Sequence, residues 1–271
     1  MSAAPGPGQG PDLVDWLERI QRGHPRDIEL GLDRVREVWS ALGAPRLAPQ
    51  VILVGGTNGK GSTVAFIDAI ARAHGWRVGR YTSPHVHRFN ERIAIDDVPV
   101  DDGRLCRAFE RVEGARGDVS LTFFEFTTLA AFVLFAAEEL DLVVVEVGLG
   151  GRLDATNLVD ADVAVVTTVD LDHQDWLGND RETIGREKAG IFRPGRVAVV
   201  GETSPPASIV AIAEALPARL CRRGVDFNVI GFGERWRGEW PGLTLDGLPR
   251  PTMPADVQVD NAATAIAALW S

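Results

Sequence analysis

Residues Val51–Thr63, VILVGGTNGKGST, join a short apolar run to a glycine-rich turn and to the start of a helical pattern. The run Val51–Val54 is β-branched and apolar, which is typical of a buried parallel strand. The glycines that follow carry no Cβ, so their backbone N–H groups can close around an anion. A helix is predicted from Thr63 to Ala73, and its N-terminus would favour phosphate through its dipole and its unpaired donors.

The turn also carries the side chains that a phosphate site needs. Lys60 supplies a positive charge, and Ser62 and Thr63 supply hydroxyl groups for a metal ion or a phosphate. A strand, a glycine loop, a lysine, a hydroxyl and a helix in this order indicate a nucleoside triphosphate site. The strict phosphate-loop pattern is not met, because Val54 and Gly61 stand where it requires glycine and a hydroxyl residue. A plain glycine turn between a strand and a helix is the alternative interpretation.

The composition is that of an ordinary globular protein. The 271 residues suffice for one large α/β domain or for one and a half domains of common size. Hydrophobic residues make up 45% and charged residues 24%, and the net charge of −10 argues against a nucleic-acid partner.

The sequence gives no sign of membrane insertion or export. It contains no run of about 18 apolar residues. Its first residues lack the basic start and apolar segment of a secretory signal. The two cysteines, Cys106 and Cys221, have no metal-type spacing and are expected to be reduced, as in a cytosolic protein.

Strand and helix patterns alternate from residue 51 to about residue 221, which predicts an α/β fold with a mostly parallel sheet flanked by helices. Two helical stripes, over residues 13–20 and 32–42, precede the first strand. Residues 121–139 predict a long helix that is apolar nearly all round and therefore buried. Residues 228–254 are rich in glycine, proline and tryptophan, and they predict a short β-ribbon or a loop.

Glu146 stands at the end of the apolar strand pattern Leu142–Val147. A buried carboxylate costs several kcal/mol unless it is paired or binds a metal ion. Ligands of open parallel sheets bind at the carboxyl ends of the strands. We therefore expect Glu146 to bind a metal ion, directly or through water, with a buried ion pair as the alternative.

A second polar cluster follows the next strand pattern, Ala161–Val169. It contains Asp170, Asp172, His173 and Asp175. Neutral imidazole and carboxylate groups are suitable ligands for a divalent metal ion. Because neighbouring parallel strands end at the same edge of a sheet, this cluster and Glu146 are predicted to form one metal site.

Four further segments allow two interpretations each. The polar stretch Ser83–Ile93 is either a loop at the mouth of a site or a solvated surface loop. The turn Ile28–Leu32 either reaches over a substrate cleft or only connects two helices. Phe123, Phe124 and Phe126 are either core residues or the walls of a slot for a flat ring. Lys188 leads into an apolar turn, and a surface lysine is the alternative to a role in the site.

Six motifs occur in a fixed order along the chain: GTNGKGS (56–62), YTSPHV with FNERI (81–93), LTFFEF (121–126), EVGLGGRLDATN (146–157), DHQDWLG (172–178) and GREKAGIF (185–192). Together they resemble the bifunctional dihydrofolate synthase/folylpolyglutamate synthases of bacteria, in the Mur ligase superfamily. The resemblance runs from about residue 12 to the last residue. It implies a P-loop NTPase-like Mur ligase central domain.

The resemblance also implies a reaction. The carboxylate of dihydropteroate or of a folate would attack the γ-phosphate of ATP and become an acyl phosphate. The amino group of L-glutamate would then displace phosphate, which forms an amide. Catalysis of this kind depends mostly on positioning and on charge neutralisation.

The family's functional residues match this sequence position by position. The resemblance implies ATP binding by Thr57, Asn58, Gly59, Lys60, Gly61, Ser62 and Asn261; metal binding by Ser83, Glu146, His173 and Lys188; and pterin binding by Glu29, Leu30, Gly31, Leu32, Thr122, Phe123, Phe124, Glu125, Leu153, Asp154 and Ala155. It implies direct catalytic roles for Lys60, Lys188 and His173. One or two Mg²⁺ ions are expected, and Lys188 matches a lysine that is carbamylated in this family.

The resemblance implies a domain organisation as well. Residues 12–271 are expected to be an ATP-binding domain with two N-terminal helices and a β-rich segment near 226–255. Residues 1–11, outside the resemblance, are rich in proline and glycine and are expected to be a disordered lead-in. A C-terminal glutamate-ligase domain is expected to be absent from this chain. We expect a cytoplasmic monomer without nucleic-acid or membrane partners. The alternatives are another Mur-type amide ligase and a truncated, non-catalytic ATP-binding module.

Overall fold

An eight-stranded sheet forms the centre of the computed structural model, which describes residues 11–231 and 233–271. Its strands are β1 (Gln50–Gly55), β2 (Val78–Tyr81), β3 (Ile93–Ile95), β4 (Val98–Pro99), β5 (Leu142–Glu146), β6 (Val163–Val166), β7 (Val197–Val200) and β8 (Arg219–Arg222). They lie side by side in the order β4-β3-β2-β5-β1-β6-β7-β8. The six strands from β2 to β8 are parallel, whereas β3 and β4 are antiparallel to their neighbours. The predicted mostly parallel α/β sheet is thus confirmed. Of the predicted lead-in, residues 1–10 lie outside the described residues.

The inner strands are apolar because both faces of the sheet are covered. In β1, Ile52 and Val54 point to one hydrophobic cluster, and Val51 and Leu53 point to the other. The register places Val54 opposite Glu146 of β5. The turn that follows β1 therefore leaves the sheet beside the end of β5.

Nine α-helices surround the sheet in the described parts of the chain. They are α1 (Leu13–Arg22), α2 (Asp33–Ala41), α3 (Lys60–Ala73), α4 (Asp102–Arg116), α5 (Phe123–Ala136), α6 (Gln174–Leu177), α7 (Arg181–Ala189), α8 (Ala207–Ala215) and α9 (Val257–Trp270). Helices α3 and α9 cover one face of the sheet, while α1, α2, α4, α5, α7 and α8 contribute to the cluster on the other face. No helix of the described residues is long and apolar enough to cross a bilayer.

The helix α5 is the centre of the second face, and it is shorter than the 121–139 pattern predicts. The helix begins directly after Thr122, which is its N-cap residue. The Thr122 hydroxyl accepts the N–H of Glu125, and the Glu125 carboxylate accepts the N–H of Thr122, which together form a capping box. Eleven residues of the helix are buried, in agreement with its apolar sequence. The two N-terminal helices pack on it through Trp16 and Trp39, whose rings contact Phe126 and Phe132.

The segment 228–249 forms a second, three-stranded antiparallel sheet. Its strands are β9 (Asn228–Ile230), β10 (Arg235–Trp240) and β11 (Leu243–Pro249), in the order β11-β10-β9. Trp236 and Trp240 are buried against α3 and α9, and the Trp240 indole donates to the carbonyl of Ala263. This anchoring explains why a stretch with weak alternation is ordered.

Candidate nucleotide and substrate site

The phosphate loop joins β1 to α3, and its helix begins at Lys60 rather than at the predicted Thr63. Gly59 precedes the helix with φ 84°, a left-handed conformation that favours glycine. No side chain caps this helix end, so the N–H groups of its first turn are available to an anion. The N–H groups of Thr57 and Asn58 are already bonded to Thr168. The donors for phosphate are therefore in the helix turn that starts at Lys60.

The lysine of the loop folds back over it. Lys60 Nζ donates to the carbonyls of Gly56 and Thr57, at 3.1 and 3.2 Å. The hydroxyl of Thr167 donates to the carbonyl of Asn58 at 2.6 Å. Asn261, at the start of α9, lies on the other side, since a Cβ on Gly59 would come within 2.6 Å of its Oδ1. Asn261 of α9 and the loop residues 56–60 are thus close neighbours.

We expect a substitution of Gly56 by alanine to disrupt this loop. The added Cβ would stand 1.9 Å from the Thr167 hydroxyl, and φ at this residue is +141°. We expect a loss of roughly 2–4 kcal/mol in the free energy of unfolding, measured by urea denaturation. The matched control is Gly114→Ala, where no atom lies within 4 Å. Equal stability of the two variants would contradict the steric argument, and Thr167→Ala should restore part of the loss in Gly56→Ala.

Glu146 is a nearly buried carboxylate beside the phosphate loop. Glu146 is 6% exposed, and its Oε2 accepts the backbone N–H of Ser83 at 3.1 Å. A Cβ on Gly61 would lie 3.7 Å from the same oxygen, so the carboxylate rests against the first turn of α3. Burial raises the pKa of Glu146, while the Ser83 N–H and the charge of Lys60 oppose the rise. A divalent cation would neutralise this charge.

His173 belongs to the loop between β6 and α6, and it has a left-handed backbone conformation with φ 47°. It lines the same cavity as Lys60 and Ser83. The neighbouring carboxylates have local partners, because Asp170 and Asp172 accept the N–H groups of Leu171 and His173. Of the four residues in this cluster, His173 is the one that lines the cavity.

The donor set fits Mg²⁺. In the part of the chain that the structure describes, no three His, Cys, Asp or Glu side chains converge on a point. Mg²⁺ does not need such a cage, since it keeps several waters and binds through one or two carboxylates together with substrate phosphates. The carboxylate of Glu146, with the hydroxyl of Ser83 and the imidazole of His173, would supply the protein ligands.

Lys188 is buried in α7 and is not a surface lysine. It is 3% exposed, and burial together with the nearby charge of Lys60 lowers its pKa to about 8, against the opposing effect of Asp172 and Asp154. Lys60 and Lys188 are the two lysines of the sequence, and arginine supplies all its other long cationic side chains. Lys60 lines the cavity described below, and Lys188 does not line it but is near enough for the charges of Lys60, Asp172 and Asp154 to change its pKa.

A cavity of 470 Å³ opens beside the loop and collects the predicted pterin-binding segments. Its wall includes Glu29, Leu30, Gly31, Thr122, Phe123, Phe124, Glu125, Leu153, Asp154 and Ala155, together with Lys60, Ser83 and His173. Leu32 does not line it. This residue is 6% exposed and packs in the core at the start of α2. The other residues of the turn 28–32 do line the cavity, so this turn forms one of its walls and does not merely connect two helices.

Two aromatic side chains give the cavity a flat side. Phe124 stacks on Tyr81 with 6.2 Å between ring centroids and an angle of 29°. Its ring also lies against Gly148, where an added Cβ would meet it at 2.5 Å. The guanidinium of Arg92 lies 5.6 Å from the Phe123 ring centroid, so a cation also lines this side. The sequence patterns did not single out Arg92 or Gly148.

A buried acid also lines the cavity. Asp154 is 2% exposed and accepts the N–H of Leu149 and both the N–H and the hydroxyl of Thr156. Burial raises its pKa against these hydrogen bonds. The cavity is thus bounded by aromatic rings, by buried acids and by the phosphate loop.

A parallel sheet whose first strand leads through a glycine turn into a helix defines a phosphate-loop α/β domain. A model of the Mur ligase middle domain matches residues 54–218. The chain belongs to the Mur ligase family.

Individual relatives and solved structures narrow the comparison. The dihydrofolate synthase/folylpolyglutamate synthase of Escherichia coli K12 is 49% identical over 257 residues, which cover 95% of this chain and 60% of the relative. The protein of the same description from Haemophilus influenzae is 43% identical, over 95% of this chain and 58% of its own length. The structure of E. coli FolC in complex with DHPP and ADP has a TM-score of 0.93 and 47% identity, over 98% of this chain and 63% of that one. The Yersinia pestis enzyme complexed with AMPPNP and Mn ion has a TM-score of 0.90 and 47% identity, over 97% and 64%.

The chain spans about three fifths of the length of the relatives that it matches.

Proposed function

We propose that this chain is the ATP-binding and pterin-binding part of an enzyme that joins L-glutamate to dihydropteroate and to folates. The observation that carries the proposal is the shared cavity. Three separate segments, around residues 29–31, 122–125 and 153–155, line it together with Lys60, Ser83 and His173. A pterin bound there would have its carboxylate directed towards the phosphate loop.

The residues of the chain would perform three tasks. The first turn of α3 and Lys60 would hold the β- and γ-phosphates of ATP. Phe124 would stack on the flat heteroaromatic ring, and the buried acid Asp154 would bind its donor groups. Mg²⁺, held by Ser83, Glu146 and His173, would neutralise charge on the phosphates. The substrate carboxylate would then attack the γ-phosphorus, the bond to ADP would break, and an acyl phosphate would result.

The second half of the reaction needs glutamate. Its amine would attack the acyl carbon and expel phosphate, which leaves an amide. The Y. pestis enzyme has also been solved with AMPPNP and Mn ion, and one related structure holds Mn, AMPPNP and L-glutamate. We infer that the present chain would bind ATP and a divalent ion in the same region, as a cytoplasmic monomer.

Lys188 is proposed to become a carbamate. Its neutral amine would attack the carbon of CO₂, a nitrogen–carbon bond would form, and one proton would leave to solvent. With a pKa of about 8, about one amine in ten is neutral at pH 7, against about one in three thousand at the ordinary 10.5. The resulting anion would face Lys60 and could hold a second Mg²⁺.

We expect carbamate formation at Lys188 to be visible by ¹³C NMR in ¹³C-bicarbonate. The carbamate signal should grow as the pH rises from 7 towards 8, because the neutral amine is the reactive form. The sequence has two lysines, so Lys188→Arg should remove the signal and leave that of the N-terminal amine. A signal of equal size in Lys188→Arg would refute the assignment.

The proposed function is tested by calorimetry with 7,8-dihydropteroate in the presence of AMPPNP and Mg²⁺. Binding of dihydropteroate, and none of a peptidoglycan precursor, is the expected result. The reverse preference would favour another Mur-type amide ligase. Product formation from ATP, dihydropteroate and glutamate should then be measured with this chain alone and with the remaining part of a full-length relative added. ATP binding without turnover in both assays would favour a non-catalytic module.

A further inference from the structure

Arg34 lies behind the cavity and contacts two of its walls. Its Nη2 donates to Glu125 Oε1 at 2.8 Å and to the backbone carbonyl of Glu29 at 2.9 Å. Its Nη1 donates to Glu29 Oε1 at 2.5 Å, and its Nε donates to Glu125 Oε1 at 3.2 Å. One guanidinium therefore joins the turn 28–32 to the start of α5.

The carboxylate of Glu125 is held from both sides. Oε1 accepts Arg34, and Oε2 accepts the N–H of Thr122 at 2.7 Å. The side chain is only 4% exposed. Its hydrogen bonds are thus made within the wall, and its charge is compensated by Arg34.

The third wall is tied to the first by the backbone. The N–H of Gly31 donates to the carbonyl of Leu153 at 3.2 Å. The turn 28–32 thus contacts the other two segments, and Arg34 is the side chain that fixes its position relative to α5.

We propose that Arg34 is a positioning residue that holds the turn 28–32 and the start of α5 in their relative positions. Pterin affinity would then depend on a side chain that does not line the cavity. This inference rests on the proposed function, because it concerns the same substrate. Removing one partner of a buried ion pair leaves an uncompensated charge, here on Glu125. Lysine cannot replace the arginine fully, since a single ammonium group lacks the planar fork that serves both carboxylates at once.

Arg36 provides a matched control on the same helix. Its side chain is 59% exposed, and its ion pair with Asp33 spans 3.8 Å on the surface. Such exposed pairs contribute little to stability. Arg36→Met therefore removes an arginine from α2 and leaves the cavity walls unchanged.

The experiment compares Arg34→Met, Arg34→Lys and Arg36→Met by calorimetry and by hydrogen exchange. We expect Arg34→Met to weaken dihydropteroate binding at least tenfold, to change AMPPNP affinity less than twofold, and to speed exchange of the Gly31 amide. Arg34→Lys should recover part of the affinity, and Arg36→Met should behave like the parent chain. Parental affinity and exchange in Arg34→Met would overturn the inference, as would an equal loss of both ligands.

A double variant covers the case in which Arg34→Met does not fold. Arg34→Met combined with Glu125→Gln removes the charges of Arg34 and of its buried partner, while the other partner, Glu29, is 30% exposed and keeps its ion pair with Arg26 at 3.3 Å. We expect it to fold, to bind AMPPNP, and still to bind dihydropteroate at least tenfold more weakly. Parental pterin affinity in the double variant would refute a positioning role. If the parent chain itself fails to bind dihydropteroate, the proposed function fails, whereas exchange at Gly31 still decides whether Arg34 fixes the turn.

Discussion

Replacement of Lys60 by alanine is expected to lower nucleotide affinity at least about 100-fold, which corresponds to about 2.7 kcal/mol. The ammonium group lies over the phosphate loop, where it donates to the carbonyls of Gly56 and Thr57. When a triphosphate binds, the ammonium group would give up one hydrogen bond to a carbonyl and donate to a phosphate oxygen instead. A hydrogen bond between two charged groups is stronger than one to a neutral carbonyl. Calorimetry with AMPPNP and Mg²⁺ measures the effect.

The Lys60 substitution has a second expected result at Lys188. The charge of Lys60 lowers the pKa of Lys188 and also that of Glu146. Both values should therefore rise in Lys60→Ala, and the ¹³C carbamate signal at pH 7 should decrease. Arg22→Ala is the control for the change in net charge, since this side chain is 78% exposed. If Lys60→Ala and the control bind nucleotide equally well, the assigned role of Lys60 is wrong.

The substitution Glu146→Gln should remove divalent-metal binding while it keeps the fold. Glutamine preserves the shape and can still accept the Ser83 N–H, but it has no charge for the cation. In the presence of ADP, we expect Mn²⁺ affinity measured by EPR to fall at least about 100-fold. An exposed acid, Asp33, serves as the control in Asp33→Asn. Unchanged Mn²⁺ affinity in Glu146→Gln would exclude this carboxylate as a ligand.

The same variant has a pH-dependent effect on stability. Burial raises the pKa of Glu146 above its ordinary value of 4.5, so the folded state binds this proton more tightly than the unfolded state does. Without metal, the contribution of Glu146 to stability is present below pH 4.5 and is lost as the pH rises through the folded pKa. Glu146→Gln should therefore gain stability relative to the parent chain as the pH increases from 4.5, by urea denaturation. Added Mg²⁺ and ADP should reverse the order.

The parallel core of the fold could be predicted from the sequence, because buried parallel strands are continuous apolar runs. The patterns at Val51–Val54 and Leu142–Val147 correspond to β1 and β5. Helix ends were less accessible. The start of α3 at Lys60 depends on a glycine conformation, and the start of α5 at Phe123 depends on the Thr122–Glu125 capping box. An apolar pattern does not report either feature.

The antiparallel edge of the sheet was missed. The segment Ser83–Ile93 is polar and was predicted as a loop, whereas it contains a 3₁₀ turn at Phe89–Arg92 and leads into β3. Strands of two or three residues, such as β3 and β4, are too short to show alternation. They are ordered by strand pairing, of β3 with β2 and of β4 with β3, which an alternation pattern does not report.

For the site, the chain's own chemistry indicated a phosphate loop and the acid at the end of β5. The sequence patterns left a role at a cleft open for residues 28–32 and for Phe123 and Phe124, and only the resemblance assigned them to one pterin site, since no spacing rule brings residues 29, 122 and 153 together. Arg34 was missed because its helix position looks like that of any polar surface residue. Lysine is scarce in this sequence, and the positions of its two lysines, Lys60 and Lys188, could have indicated the site from the composition.

The position of β5 between β1 and β2 has a consequence for how the chain folds. These two outer neighbours come earlier in the chain, with α3 between them, and β5 must enter after both have been made. Contacts between distant segments form slowly. A partly folded chain that has formed only β1 and β2 has the phosphate loop with Lys60 but lacks Glu146 of β5 beside it. Nucleotide and metal would therefore bind the completed sheet and stabilise it by mass action.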